Sequence, residues 1–109
     1  MKTIWIKENP LNNIISGKKL IEGRLNKGLF KNLKVNDLIT LSCKSKSCKV
    51  KIINIIKCNN FNDLLSNYNL NDILPDARNI AEGLEIYNKI YTIEKEYKFG
   101  VLGLYIEVI

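Results

Sequence analysis

The chain has 109 residues, 46% of them hydrophobic and 26% charged, which suits one buried core without staples and excludes a disordered chain. Its net charge of +6 is unevenly spread: residues 1–60 hold thirteen Lys/Arg against three Asp/Glu, and residues 61–109 hold four against eight. Histidine is absent, which excludes Ser-His-Asp and Cys-His nucleophiles, imidazole acid–base pairs and imidazole metal sites.

A single domain over 1–109 is expected, since no repeat, low-complexity tract or linker interrupts the chain. No apolar run reaches the length of a membrane span, and "MKTIWIKENP" lacks the apolar core of a signal peptide, so a soluble, cytoplasmic protein is expected. Residues 3–6, "TIWI", read as a first strand. Trp5 there suits either packing or stacking on a base. Residues 9–17 read as a short helix with Asn9 as cap, Pro10 in the first turn and Gly17 at the end.

Beyond Gly17 the pattern becomes extended, with Leu20, Glu22 and Arg24 on one side and Lys19, Ile21, Gly23 and Leu25 on the other. A loop follows, then strands at 38–43 and 49–56, with a bulge possible at Ile52-Ile53 where alternation breaks. Cys43 and Cys48 flank "KSKS" and could face each other across a hairpin. In a reducing cell free thiols are the default, and three cysteines without histidine leave a zinc set incomplete, so no metal is expected. The lysines of this hairpin either track a polyanion or are an ordinary charged tip.

Residues 59–76 read as short helical pieces ending near Pro75. Ile80, Leu84, Tyr87 and Tyr91 then recur at helical spacing, giving a second main helix that Gly83 weakens. Tyr87, Tyr91, Tyr97 and Tyr105 read mostly as packing residues. "FGVLGLYIEVI" closes the chain as a buried strand. The pattern as a whole predicts an α+β fold built on a small, partly closed β-barrel of five or six strands, with two main helices.

The most informative stretch is "ISGKKLIEGRL", residues 15–25. Gly17 would end the helix and leave backbone N–H groups free for an anion. Glu22 and Arg24, two apart in a strand, would point the same way and pair, while Lys19 would project from the turn toward a phosphate or carbonyl. A plain surface ion pair worth less than about 1 kcal/mol is the competing reading.

Gly17, Lys19, Glu22 and Arg24 match a G-x-K-x-x-E-x-R pattern that resembles the signature of the ASCH domain family, in the PUA-like superfamily of small β-barrels. "KVNDLITL" is similar to that family's strand entry, with Asn36 where glycine is usual, and the closing segment is similar as well. The resemblance implies a PUA-like barrel with a cationic groove for RNA or a modified nucleoside, using Gly17, Lys18, Lys19, Glu22, Arg24 and Trp5. It implies no cofactor. Some bacterial members remove the acetyl group from N4-acetylcytidine with the motif lysine, a threonine and a distant glutamate. Those catalytic positions correspond here to Lys19, to Glu22 in place of threonine, and to Glu82 or the neighbouring Glu85. Three functions therefore stand as expectations: RNA or nucleotide binding, amidohydrolysis of N4-acetylcytidine, and an adaptor that offers its basic half to an acidic protein.

Overall fold

The computed structural model describes residues 2–109. Its strands are β1 (Lys2–Trp5), β2 (Ile21–Leu25), β3 (Leu38–Ser42), β4 (Ser47–Cys58) and β5 (Val101–Val108). They form one sheet in the order β1-β3-β4-β5-β2, with β1 parallel to β3 and every other pairing antiparallel. The sheet curls into half a barrel, the partly closed α+β architecture that the sequence predicts. A register shift between Ile52 and Asn54 of β4 marks the bulge, at the place where the apolar alternation breaks.

The helices follow the expectation with one addition. Among the described residues the two main helices are α1 (Glu8–Ile15) and α4 (Ile80–Asn88), the short pieces expected at 59–76 are α2 (Phe61–Asn67) and α3 (Leu70–Ile73), and α5 (Ile93–Phe99) is additional. Asn60, Asn69, Asn79 and Thr92 each accept a backbone N–H with their side chains, so frequent capping residues cut the helical material short. Asn9 is not a cap. Lys7 holds that position, and Asn9 and Asn13 of α1 instead donate to Asp76. Asn36 has φ +77, a left-handed conformation that glycine or asparagine tolerates, which accounts for the residue type at this turn into β3.

The β3–β4 hairpin turns between Cys43 and Lys46, so Cys48 pairs with Leu41 and not with Cys43. Cys43, Cys48 and Cys58 are free thiols. Among the described residues no helix is long and apolar enough to cross a membrane, and no group of three His, Cys, Asp or Glu is placed to hold a metal ion.

The sheet is buried on both faces. One cluster packs α1 residues Leu11 and Ile14 against Ile4, Ile39, Leu41, Val50, Ile52, Leu102, Leu104 and Ile106. The other packs Phe61, Leu64, Leu65 and Tyr87 against Ile21, Leu25 and Val101. The closing strand is accordingly apolar on both sides, as a doubly covered strand must be.

Gly23 of β2 pairs with Gly103 of β5, and this pair lets the helices approach the sheet. A β-carbon on residue 23 would lie 2.5 Å from the Tyr87 hydroxyl and 3.1 Å from Leu64. Gly23→Ala is therefore expected to cost about 1–3 kcal/mol in urea unfolding. Adding Tyr87→Phe, which removes the clashing oxygen, should recover part of that loss. Unchanged stability of Gly23→Ala would contradict this packing.

Candidate functional site

The motif stretch is fixed from both sides before it enters β2. Gly17 has φ +84 and ends α1. Its N–H bonds the Ile14 carbonyl, and the N–H groups of Lys18 and Lys19 both bond the Asn13 carbonyl. The amides expected to await an anion are thus engaged in finishing the helix. Leu20 then donates to the Asp72 carbonyl and accepts from the Ile106 N–H, which locks the turn between α3 and β5.

This clamp turns Lys19 inward, where the sequence suggests an outward projection. Its side chain is 3% exposed. Nζ donates to the Ile21 carbonyl at 2.8 Å and to the Ile73 carbonyl, and lies 3.3 Å from Glu22 Oε1. The ammonium therefore has three acceptors for its three protons. Glu22 Oε2 takes Arg24 through Nε and Nη2, both at 2.9 Å. Arg24 Nη2 also donates to the Trp5 carbonyl at 3.2 Å, and its guanidinium lies 4.9 Å from the centre of the Phe30 ring.

That last bond has topological meaning. β1 and β2 are the two edges of the half-barrel, and they do not pair with each other. Glu22 and Arg24 lie opposite Leu104 and Leu102 of β5, on the face that the barrel encloses. Arg24 spans the open seam from one edge strand to the other.

The charges shift each other. Burial draws the Lys19 pKa below the ordinary lysine value, while Glu22 opposes that fall and Arg24 adds slightly to it. Burial alone would raise the Glu22 carboxyl, but Lys19 and Arg24 together hold it below the usual glutamate value. Glu22 thus stays ionised, with three donors on about four lone-pair sites, leaving one acceptor position open.

Over this network lies a cleft of about 220 Å³. Lys19, Glu22, Gly23 and Arg24 form its floor, Trp5, Ile6 and Pro10 one wall, and Ile86, Tyr87, Ile90 and Tyr91 the other, with Leu74 and Lys7 completing it. Trp5 is 70% exposed, because the alternation of β1 sends Ile4 inward. Its side chain is not part of the core. Phe61, Tyr87 and Tyr91 stack, with centroids 4.0 Å apart for Phe61–Tyr87 and 5.2 Å for Phe61–Tyr91, and this fixes the aromatic wall.

The Tyr87 hydroxyl is buried and has no hydrogen-bond partner. Burial, reinforced by the Glu22 charge, pushes its pKa well above the usual tyrosine value, so it remains a donor. Burial also raises Tyr91. Tyr97, in contrast, is 94% exposed and packs no core.

The structure therefore brings together Lys19, Glu22, Arg24 and Trp5, but not every residue singled out in the sequence. Gly17 and Lys18 are exposed and do not line the cleft; they shape the turn that delivers Lys19. Glu82 lies one turn before Ile86 on α4, outside the lining, where its carboxylate bonds the Arg78 N–H and sits 2.7 Å from the Arg78 guanidinium. Glu85 is exposed and also outside. Sequence reasoning missed the rest of the lining, notably the second wall of Ile86, Tyr87, Ile90 and Tyr91, and also Ile6, Lys7, Pro10, Gly23 and Leu74. Helical spacing marked Tyr87 and Tyr91 as one face, but spacing does not say that this face ends at an opening.

The family model of the ASCH domain matches residues 4–109. The crystal structure of hypothetical protein PH0355 is 33% identical and superposes with a TM-score of 0.93 over 100% of both chains. The solution NMR structure of protein PF0455 from Pyrococcus furiosus is 32% identical, with a TM-score of 0.84 over 99% of this chain and 96% of that one. No curated protein matches the chain significantly.

Replacing Glu22 by Gln leaves two cations without their counter-charge in a buried network and is expected to cost about 3 kcal/mol at neutral pH. Because the folded-state pKa of Glu22 is lowered, its contribution is present above the ordinary glutamate value of 4.5 and is lost as pH falls through the folded value. Urea unfolding should therefore show a shallower acid loss for Glu22→Gln than for the native protein. Parallel acid limbs would contradict an ionised, cation-held Glu22.

Proposed function

Since the chain belongs to the ASCH domain family, we propose that it is an RNA- or nucleotide-binding domain that seats one base in the cleft at the open seam. The observation that carries this reading is the pairing of an aromatic and aliphatic slot with two unsatisfied polar positions on its floor and wall. Trp5 and Tyr91 offer faces to a planar ring. The remaining acceptor position of Glu22 fits an exocyclic amino group, as carboxylates do when they read cytosine N4. The Tyr87 hydroxyl, sealed from solvent beside Gly23 in the free protein, would donate to the adjacent ring nitrogen once an entering base displaces the wall. An amino-bearing base, cytosine or adenine, supplies that donor–acceptor order, whereas uracil presents the reverse. Lys19 and Arg24 keep Glu22 charged and aimed, and its one carboxylate offsets only one of the two cations.

One observation favours the amidohydrolase reading: burial lowers the Lys19 pKa, the direction a general base requires. Against it stand the three acceptors around Nζ, which match the protonated form, and the carboxylate of Glu22 where active relatives carry a hydroxyl. Binding without turnover is the better supported function.

Titration calorimetry with cytidine, adenosine and uridine is expected to show the first two binding at least about tenfold tighter than uridine. Tyr87→Phe should weaken cytidine while leaving the fold as stable or more so, because the lost hydroxyl is unsatisfied in the free protein. N4-acetylcytidine should release no acetate. Uridine binding as tightly as cytidine would contradict the base reading, and acetate release that Lys19→Arg abolishes would install the enzyme in its place, since arginine cannot give up its proton.

A further inference from the structure

Three further grooves share lining residues with the central cleft, and two of them carry exposed lysines. The first of these two, of about 430 Å³, shares Trp5, Ile6 and Lys7 with the cleft and continues along the β3–β4 turn to Cys43, Lys44 and Ser45. The second, of about 330 Å³, shares Arg24, Ile90 and Tyr91 with the cleft and continues to Lys27, Phe30 and Lys95. Trp5 forms one partition and Arg24 with Tyr91 the other. Lys7, Lys27, Lys44 and Lys95 are all exposed. No carboxylate lines the second groove, and the one in the first, Glu8, accepts the Ser45 hydroxyl at 2.6 Å.

Resting on the base-binding reading above, we propose that the ligand is a single-stranded polynucleotide that crosses the seam, with its central base in the cleft and its flanking phosphates in these two grooves. A free nucleotide carries phosphate on one side of its base, so it would use one groove and leave the other empty. A residue inside a strand has phosphates on both its 5′ and 3′ sides, and lysines line two separate grooves that adjoin the cleft. The aromatic partitions, Trp5 on one side and Tyr91 with Phe30 on the other, suit stacking of the neighbouring bases. The placement also gives the lopsided charge a use, because Lys7, Arg24, Lys27 and Lys44 all come from the basic half of the chain.

The test compares a free nucleoside with a five-nucleotide RNA carrying the same base at its centre, by calorimetry and fluorescence anisotropy at several salt concentrations. The variants are Lys44→Ala for the first groove and Lys27→Ala/Lys95→Ala for the second; none of these lysines lines the central cleft. The pentamer is expected to bind at least tenfold tighter than the nucleoside. Each lysine removed should cost roughly fivefold at about 0.1 M salt and reduce the log–log salt slope by about 0.7. Nucleoside affinity should stay unchanged in every variant. Equal affinity for pentamer and nucleoside overturns the strand proposal while sparing the base reading. A loss confined to one groove's variant overturns the two-sided track. Pentamer binding with no nucleoside binding supports the track and sinks the base reading, and no binding of either sinks both.

Discussion

The edges of the half-barrel, β1 and β2, meet without hydrogen-bonding to each other, and the rest of the structure depends on how that open seam is held. Arg24 reaches from β2 to the Trp5 carbonyl of β1. Glu22 fixes Arg24, Lys19 fixes Glu22, and the carbonyls of Ile21 and Ile73 fix Lys19. One chain of charge-assisted bonds thus joins both sheet edges and the end of α3. A closed barrel would have filled this place with apolar side chains; the open one leaves a cleft whose floor is polar and whose walls are aromatic and aliphatic.

The same network settles what kind of positive charge the site offers. Lys19 and Arg24 look from the sequence like the cations of a binding groove, yet both are internally satisfied and share one carboxylate. In the proposed base-binding reading, the polarity that meets a ligand is Glu22's spare acceptor position, with the buried Tyr87 hydroxyl behind it. On the proposed reading, long-range attraction would come from lysines at the rim and in the flanking grooves, which are exposed and therefore screened by salt. The proposed function would divide selection from attraction, with short-range hydrogen bonds choosing the base and surface charge drawing the strand.

Much of this was legible in the sequence, for identifiable reasons. The five strands and the bulge at Ile52 follow from β-branched runs and from a break in alternation, both local signals. The G-x-K-x-x-E-x-R stretch marked the network because its spacing puts Glu22 and Arg24 on one face of a strand. The inward turn of Lys19 was not legible, since it depends on Asp72 and Ile106, distant in the chain, clamping Leu20. The partner wall from α4 escaped for a similar reason: which helix faces an opening is decided by packing of Phe61 against Tyr87 and Tyr91 across the fold. Glu82 stood as a candidate only through the resemblance, as the counterpart of the family's distant glutamate. Its position at the third residue of α4 instead commits it to Arg78 at the helix start.

The most direct measurement is a double-mutant cycle on stability, using Lys19→Met, Glu22→Gln and the pair together in urea unfolding. If Lys19 and Glu22 work as one unit that holds the seam, the double variant should lose markedly less than the sum of the single losses, with a coupling of about 1–3 kcal/mol. Losses that add to within about 0.5 kcal/mol would mean that the two residues act independently, and the seam would then have to be held by something other than this network.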